Sequence, residues 1–214
     1  MNNSALEHLT IEYQTVMSEI QLRLAVAYEL IHGDTVLGAP FLDLEAAAMN
    51  FRKIAELIVF ANMAGHKDAY ATLYPEFHKE WNMGKIMNKI KAINDLYYPN
   101  AVIEILDDNG KATGVEDLPE GEWLTEEELI TMFGKCSDLI HARNPFADEL
   151  DYDAYAALFD EWGQKINGLL SHHMVLLADK EHVIMCVMKP KEGGPPQTGI
   201  FQTDAPNGRL KRKL

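Results

Sequence analysis

Apolar residues in this chain recur at two spacings, and the change between them divides the sequence. Over residues 5–32, Leu6, Leu9, Tyr13, Met17, Ile20, Leu24, Ala27 and Ile31 stand three or four apart. That spacing puts them on one stripe of a helix, and Gly33 supplies its stop. A helix of about 28 residues runs roughly 40 Å. It therefore spans a whole bundle or extends a seam to a second copy. After the loop LGAPFLDL, a second helix is expected over Asp43–Ala64. Its apolar residues Ala47, Met49, Phe51, Ile54, Leu57, Ile58, Ala61 and Ala64 give a broad surface, which marks it as central. Residues 68–94 read as a short helix, a break at Pro75 and another helix with Trp81, Ile86, Ile90 and Ile93 inward.

From residue 101 the period shortens. AVIEILDDNGKATGVEDL holds a β-branched run, an Asn109-Gly110 turn and a second extended piece, the pattern of a hairpin. Four of its positions also match a calcium loop of the EF-hand type. The position that should open such a loop is Ile105, which offers no side-chain oxygen, so calcium binding is not expected.

The helical period returns at Thr125. Thr125 with Glu128 matches a capping box, and three acidic residues in the first turn suit the positive end of a helix. Leu129, Met132, Phe133, Cys136, Leu139 and Ile140 form its buried stripe. The run stops at His141-Ala142-Arg143-Asn144-Pro145, because a residue before proline is pushed out of helical geometry. A further helix is expected over Asp151–Leu170, with Tyr155, Leu158, Phe159, Trp162, Ile166 and Leu169 inward. Two apolar runs around Asp179-Lys180-Glu181 suggest a second hairpin over residues 173–189, and 197–202 a third strand.

The fold class expected is mainly α (α+β): a multi-helix bundle over residues 5–170 with a small antiparallel β-hairpin or sheet element towards the C-terminus. The β segments fall at about 101–116 and 173–202, in a single domain of residues 1–203. Residues 204–214 form a flexible basic tail. A chain of 214 residues with 47% hydrophobic and 24% charged residues suits one globular domain that needs neither disulfides nor metals. Cys136 and Cys186 both sit in apolar runs and are expected as free buried thiols. No secretory segment opens the chain and no run approaches the length of a membrane span, so the compartment expected is the cytoplasm.

Charge and motif content narrow the function. The net charge is −14; residues 104–128 carry ten acids against Lys111 alone, whereas Arg209 to Leu214 hold four basic groups. An acidic chain repels nucleic acid at long range, so any such contact needs a local basic patch or a partner. There is no His-Glu-x-x-His, Cys-x-x-Cys, nucleophile elbow, P-loop or dinucleotide fingerprint. Neither a metal nor another cofactor is expected. What remains is the ending of the helix at 125–140. An arginine holds a phosphate bidentately, and a histidine titrates near neutrality and moves protons. His141, Arg143 and Asn144 are therefore the candidate catalytic set, and an equally direct reading has them stabilising a helix C-terminus. Arg52 and Glu56, four apart on the central helix, are supporting candidates.

The Arg143-Asn144 pair, between the helix that ends near 140 and the one that follows, resembles the HEPN superfamily, which includes toxin and antiphage ribonucleases. The resemblance covers roughly residues 40–170. It implies a metal-independent endoribonuclease, RNA as a partner and a homodimer. In that family a histidine follows the arginine after four to six residues; here the matching window holds Asp148, Glu149 and Leu150. Either catalysis is absent, or His141 takes the role from the other side of the arginine. The competing expectation is a non-catalytic interaction module that binds a protein partner through its acidic surface or self-assembles through its first helix.

Overall fold

The computed structural model describes residues 3–34, 36–142, 146, 150–190 and 193–203. Among the described residues, six α-helices and one five-stranded antiparallel sheet make up the fold, mainly α with a small sheet towards the C-terminus. Helix α1 (Asn3–His32) and helix α2 (Pro40–Gly65) form an antiparallel pair. Arg23 meets Asn50 near their connection and Lys67 meets Glu12 at the far end. The connection is set by Asp43, a buried acid whose carboxylate accepts the amides of Val36 and Leu37 at 3.1 and 2.8 Å. Helix α2 starts three residues earlier than expected, because Pro40 occupies its first turn, where a missing N–H costs nothing.

The next stretch departs further from expectation. Helix α3 (Lys67–Leu73) and helix α4 (Met83–Ile93) are separated by a nine-residue break containing a 3-10 turn at Phe77–Lys79. Asn82 caps α4 by accepting the Lys85 amide, which fixes the start two residues after Trp81. Trp81 is thus not an inward residue: it is 76% exposed, outside any helix. Met83, Ile86, Met87 and Ile90 face the core instead.

Helix α5 (Glu126–Ile140) and helix α6 (Tyr152–Ser171) close the bundle, capped by Thr125 and Asp151. Helix α6 runs without a loop into strand β3 (His172–Leu176). Strands β1 (Asn100–Leu106), β2 (Ala112–Asp117), β4 (His182–Val187) and β5 (Gln197–Gln202) join it in the order β2-β1-β3-β4-β5. The two expected hairpins are therefore halves of one sheet. Only Asn100 and Ala101 of β1 pair with β3, opposite Met174 and His173, so the β1–β2 hairpin is tied on by its base.

Strand alternation divides the sheet residues between two clusters. Ala101, Val175, Ile184 and Cys186 pack into the helical core, while Val102, Val115, Met174, Leu176 and Val183 form a smaller cluster of their own. Both cysteines are free and buried. Burial pushes each thiol up to about 12, with Arg52 drawing Cys136 part of the way back. Helix α1 lies along the β5 edge, where Thr198 donates to the Thr10 carbonyl and Gln21 reaches the Met188 carbonyl.

Candidate functional site

The capping box of α5 forms as the sequence predicts. The Glu128 amide donates to Thr125 Oγ1 at 3.2 Å and the Thr125 amide to Glu128 Oε2 at 2.9 Å. Glu128 also binds Lys165 of α6, so one carboxylate both caps α5 and clamps the neighbouring helix. Burial raises its pKa, but the lysine and threonine hydrogen bonds outweigh this and hold it below the usual range. Leu129, Met132, Cys136 and Leu139 are buried, and α5 stops at Ile140. His141 follows with extended backbone, φ −79° and ψ 139°, and its side chain is exposed. Among the described residues it has no hydrogen-bond or ion-pair partner. Arg143 and Asn144, the other two candidates, lie outside the described residues, as does the basic tail 204–214.

Arg52 and Glu56 do come together, but within the seam between α2 and α5. The Arg52 guanidinium sits 4.8 Å from the centre of the Phe133 ring, and its Nε lies 3.5 Å from Glu56. Glu56 is also held by Lys53 at 2.7 Å. Their side chains are 27% and 17% exposed, so the pair is half-buried. A guanidinium over an aromatic ring at such a site contributes about 0.5–1 kcal/mol. No described contact links the pair to His141. Its role in this geometry is to fasten α2 to α5.

Two buried polar chains escaped the sequence reading. His173 is fully buried; its Nδ1–H donates to the Leu170 carbonyl at 2.9 Å, which leaves Nε2 to accept the Tyr13 hydroxyl at 2.7 Å. Burial drives its pKa down to about 4, so the imidazole is neutral. His66 repeats the pattern: Nδ1–H donates to Asn62 O at 2.7 Å, and Nε2 accepts from the Asn94 amide at 3.0 Å. The same amide reaches Leu176 O at 2.9 Å, tying α2, the end of α4 and β3 together. Burial also lowers the His66 pKa. The available signals were Tyr13 on the α1 stripe and the alternation that turns His173 inward. Nothing in the sequence joins residues 160 positions apart.

Cavities open on the surface of the described residues. A pocket of about 510 Å³ lies between the start of α1, the α2–α3 junction and the β3–β4 turn, with His66 in its lining. A groove of about 780 Å³ runs along the second half of α1, where Val26, Tyr28 and Val36 are exposed apolar residues. A third pocket of about 350 Å³ shares Leu24, Tyr28 and Asn167 with the groove. At its rim His32 meets Asp160 at 2.8 Å, and the His32 ring lies 4.3 Å from that of Tyr28. Among the described residues, no group of three or more His, Cys, Asp or Glu is placed to hold a metal ion, and no helix is long and apolar enough to cross a membrane.

No family model, curated protein or solved structure matches the chain.

Proposed function

We propose that the protein is a HEPN-like, RNA-directed or defence-associated protein that works as a homodimer at the end of α5. The observation that carries this reading is the ending of that helix. A strongly capped, well-packed α5 stops at Ile140 and leaves His141 exposed on extended backbone, with Arg143-Asn144 next in the chain. In this reading Arg143 holds a backbone phosphate bidentately. His141 takes the proton from the 2′-hydroxyl as its oxygen attacks the adjacent phosphorus. A bond forms from the 2′-oxygen to phosphorus, the bond to the 5′-oxygen breaks, and a proton passes to that leaving oxygen. Asn144 donates to the phosphate as charge builds there. Arg52 and Glu56 act only indirectly, by holding α2 against α5, the helix that ends at this site.

The test is a labelled RNA pool incubated with the wild type, His141→Ala and Arg143→Ala, with thermal melts of all three. His141→Ala is expected to lose cleavage and keep binding; Arg143→Ala is expected to lose both while the fold stays intact. In a degenerate relative, wild type and His141→Ala bind equally and neither cuts. Absence of any RNA effect at every salt concentration, with a lowered melt for Arg143→Ala, would sink the RNA reading.

A second reading, a non-catalytic interaction module, is favoured by one different observation. Leu22, Val26, Tyr28 and Val36 are exposed apolar residues along and just beyond α1, and the last three line the 780 Å³ groove. Apolar surface of this kind marks contact sites more often than scattered single residues do. Light scattering of the wild type and of Val26→Asp separates the cases: loss of a dimer in the variant places self-assembly at this groove.

A further inference from the structure

The 510 Å³ pocket is unrelated to the end of α5 and has a distinct chemistry. Its walls are lined by small residues, among them Ala64, Gly65, Ala69 and Ala178, which leave space where larger side chains would fill it. Three carboxylates, Glu12, Asp68 and Asp179, line it against one ammonium, Lys67, which pairs with Glu12 at 2.9 Å. Among its Asp, Glu and Lys side chains the acids outnumber the bases three to one; His8 also lines it. Asp179 is fixed: its carboxylate accepts the amides of Glu181 and His182, each at 3.0 Å, and the His182 ring at 2.7 Å. Burial opposes its charge, but these bonds win and keep it ionised. His66 adds no positive charge, because both of its ring nitrogens are committed to the neutral form. An apolar cavity with a few convergent charges is the usual form of a small-ligand site.

We propose that this pocket binds a cation carried on a short apolar stem, an alkylammonium or the side chain of a lysine or arginine. The carboxylates take the charge and the alanine-lined wall takes the stem. Two sources offer that chemistry. One is a free amine. The other is the chain's own segment 204–214, which carries Arg209, Lys211, Arg212 and Lys213. That segment follows Thr203, whose amide donates to Glu181 O at 2.7 Å, two residues from Asp179. Eleven residues reach at most ~40 Å, far more than the distance to an adjacent pocket requires.

The experiment is calorimetric titration of the full chain with hexylamine, using hexanol as the neutral counterpart. Hexylamine is expected to bind, to weaken as salt rises, and to exceed hexanol by up to about fivefold, the scale of one partly exposed ion pair. Asp68→Asn is expected to weaken it severalfold. Ala69→Trp, checked for a cooperative melt, is expected to abolish it by filling the cavity. A full chain with Arg209, Lys211, Arg212 and Lys213 all changed to Glu separates the two sources. If only that chain binds hexylamine, the wild-type pocket is already filled by its own basic segment; if both bind equally, the occupant is a free amine. Equal binding of hexylamine and hexanol, binding unchanged in both pocket variants, or no binding by either chain would overturn the proposal.

Discussion

Gly168 offers a sharp test of how the segment before α5 is fixed. It lies in α6, where alanine is favoured over glycine by about 1 kcal/mol. Propensity alone therefore predicts that Gly168→Ala stabilises the protein. The tertiary structure predicts the reverse. A Cβ at this position would stand 1.9 Å from the Glu122 carbonyl oxygen, 3.0 Å from its carbon and 3.3 Å from Trp123 Cα. All three are backbone atoms, so no side chain can swing away. Opening the shortest contact to ordinary separation moves the strand-to-helix connection by more than ~1 Å. That connection is held just beyond the contact: the Leu124 amide donates to Lys165 O at 3.0 Å, and Tyr98 Oη donates to Leu124 O at 3.0 Å. Leu124 is fully buried and Thr125 caps α5. Overpacking costs about 1–3 kcal/mol and a lost buried hydrogen bond about 1. Less the propensity gain, Gly168→Ala should destabilise by about 1–3 kcal/mol. Gly134 in α5 is the control, since a Cβ there meets nothing within 4 Å. Gly134→Ala should gain up to about 1 kcal/mol. Urea titrations of both variants, read at constant slope, give the comparison. If Gly168→Ala is as stable as the wild type, the close approach of α6 to Glu122 is refuted.

Other outcomes follow from the same packing. His173 has a folded pKa of about 4 against an unfolded value near 6.5, so between those limits the unfolded chain holds a proton that the folded chain does not. Its contribution is fully present above pH 6.5 and is lost as pH falls towards 4, on the order of 2 kcal/mol by pH 5; a flat denaturation midpoint from pH 7 to 5 would contradict this. Tyr13→Phe strands the His173 acceptor and should cost about 1–3 kcal/mol in the same titration. Trp162→Ala, which empties a buried site beside Phe159, should cost about 3–5 kcal/mol, whereas Trp81→Ala should change stability by less than about 0.5; equal losses would show that the exposed position of Trp81 is wrong. Thr125→Ala removes the cap of α5 and should cost about 1 kcal/mol in thermal melts, with no change meaning that Glu128 and Lys165 suffice to hold the helix end.

The sequence by itself determined whatever depends on neighbours a few residues apart. The α1 stripe, the Thr125–Glu128 box and the stop of α5 at Ile140 are all contacts within one or two turns. The Asn109-Gly110 turn is equally local: Gly110 takes φ +75° and its amide donates to Asp107 O. Such contacts are encoded by spacing, because the helix and the strand each bring fixed positions together. The ending at His141 was legible for the same reason.

Tertiary structure decided the rest. Trp81 sits near apolar residues at helical spacing, yet Asn82 begins α4 beyond it and leaves the ring in solvent. Arg52 and Glu56 looked available for a site, but packing of α2 on α5 brings Phe133 under the guanidinium and uses the pair as a fastening. The attachment of β1 to β3, the Tyr13–His173 and His66–Asn94 bonds and the acidic pocket all join segments far apart in the chain. Their partners are selected by which surfaces fit once the helices have packed. A periodic pattern says which face of each element turns inward. It does not say which other face it meets, because many pairings bury the same apolar area and only shape and hydrogen-bond satisfaction separate them.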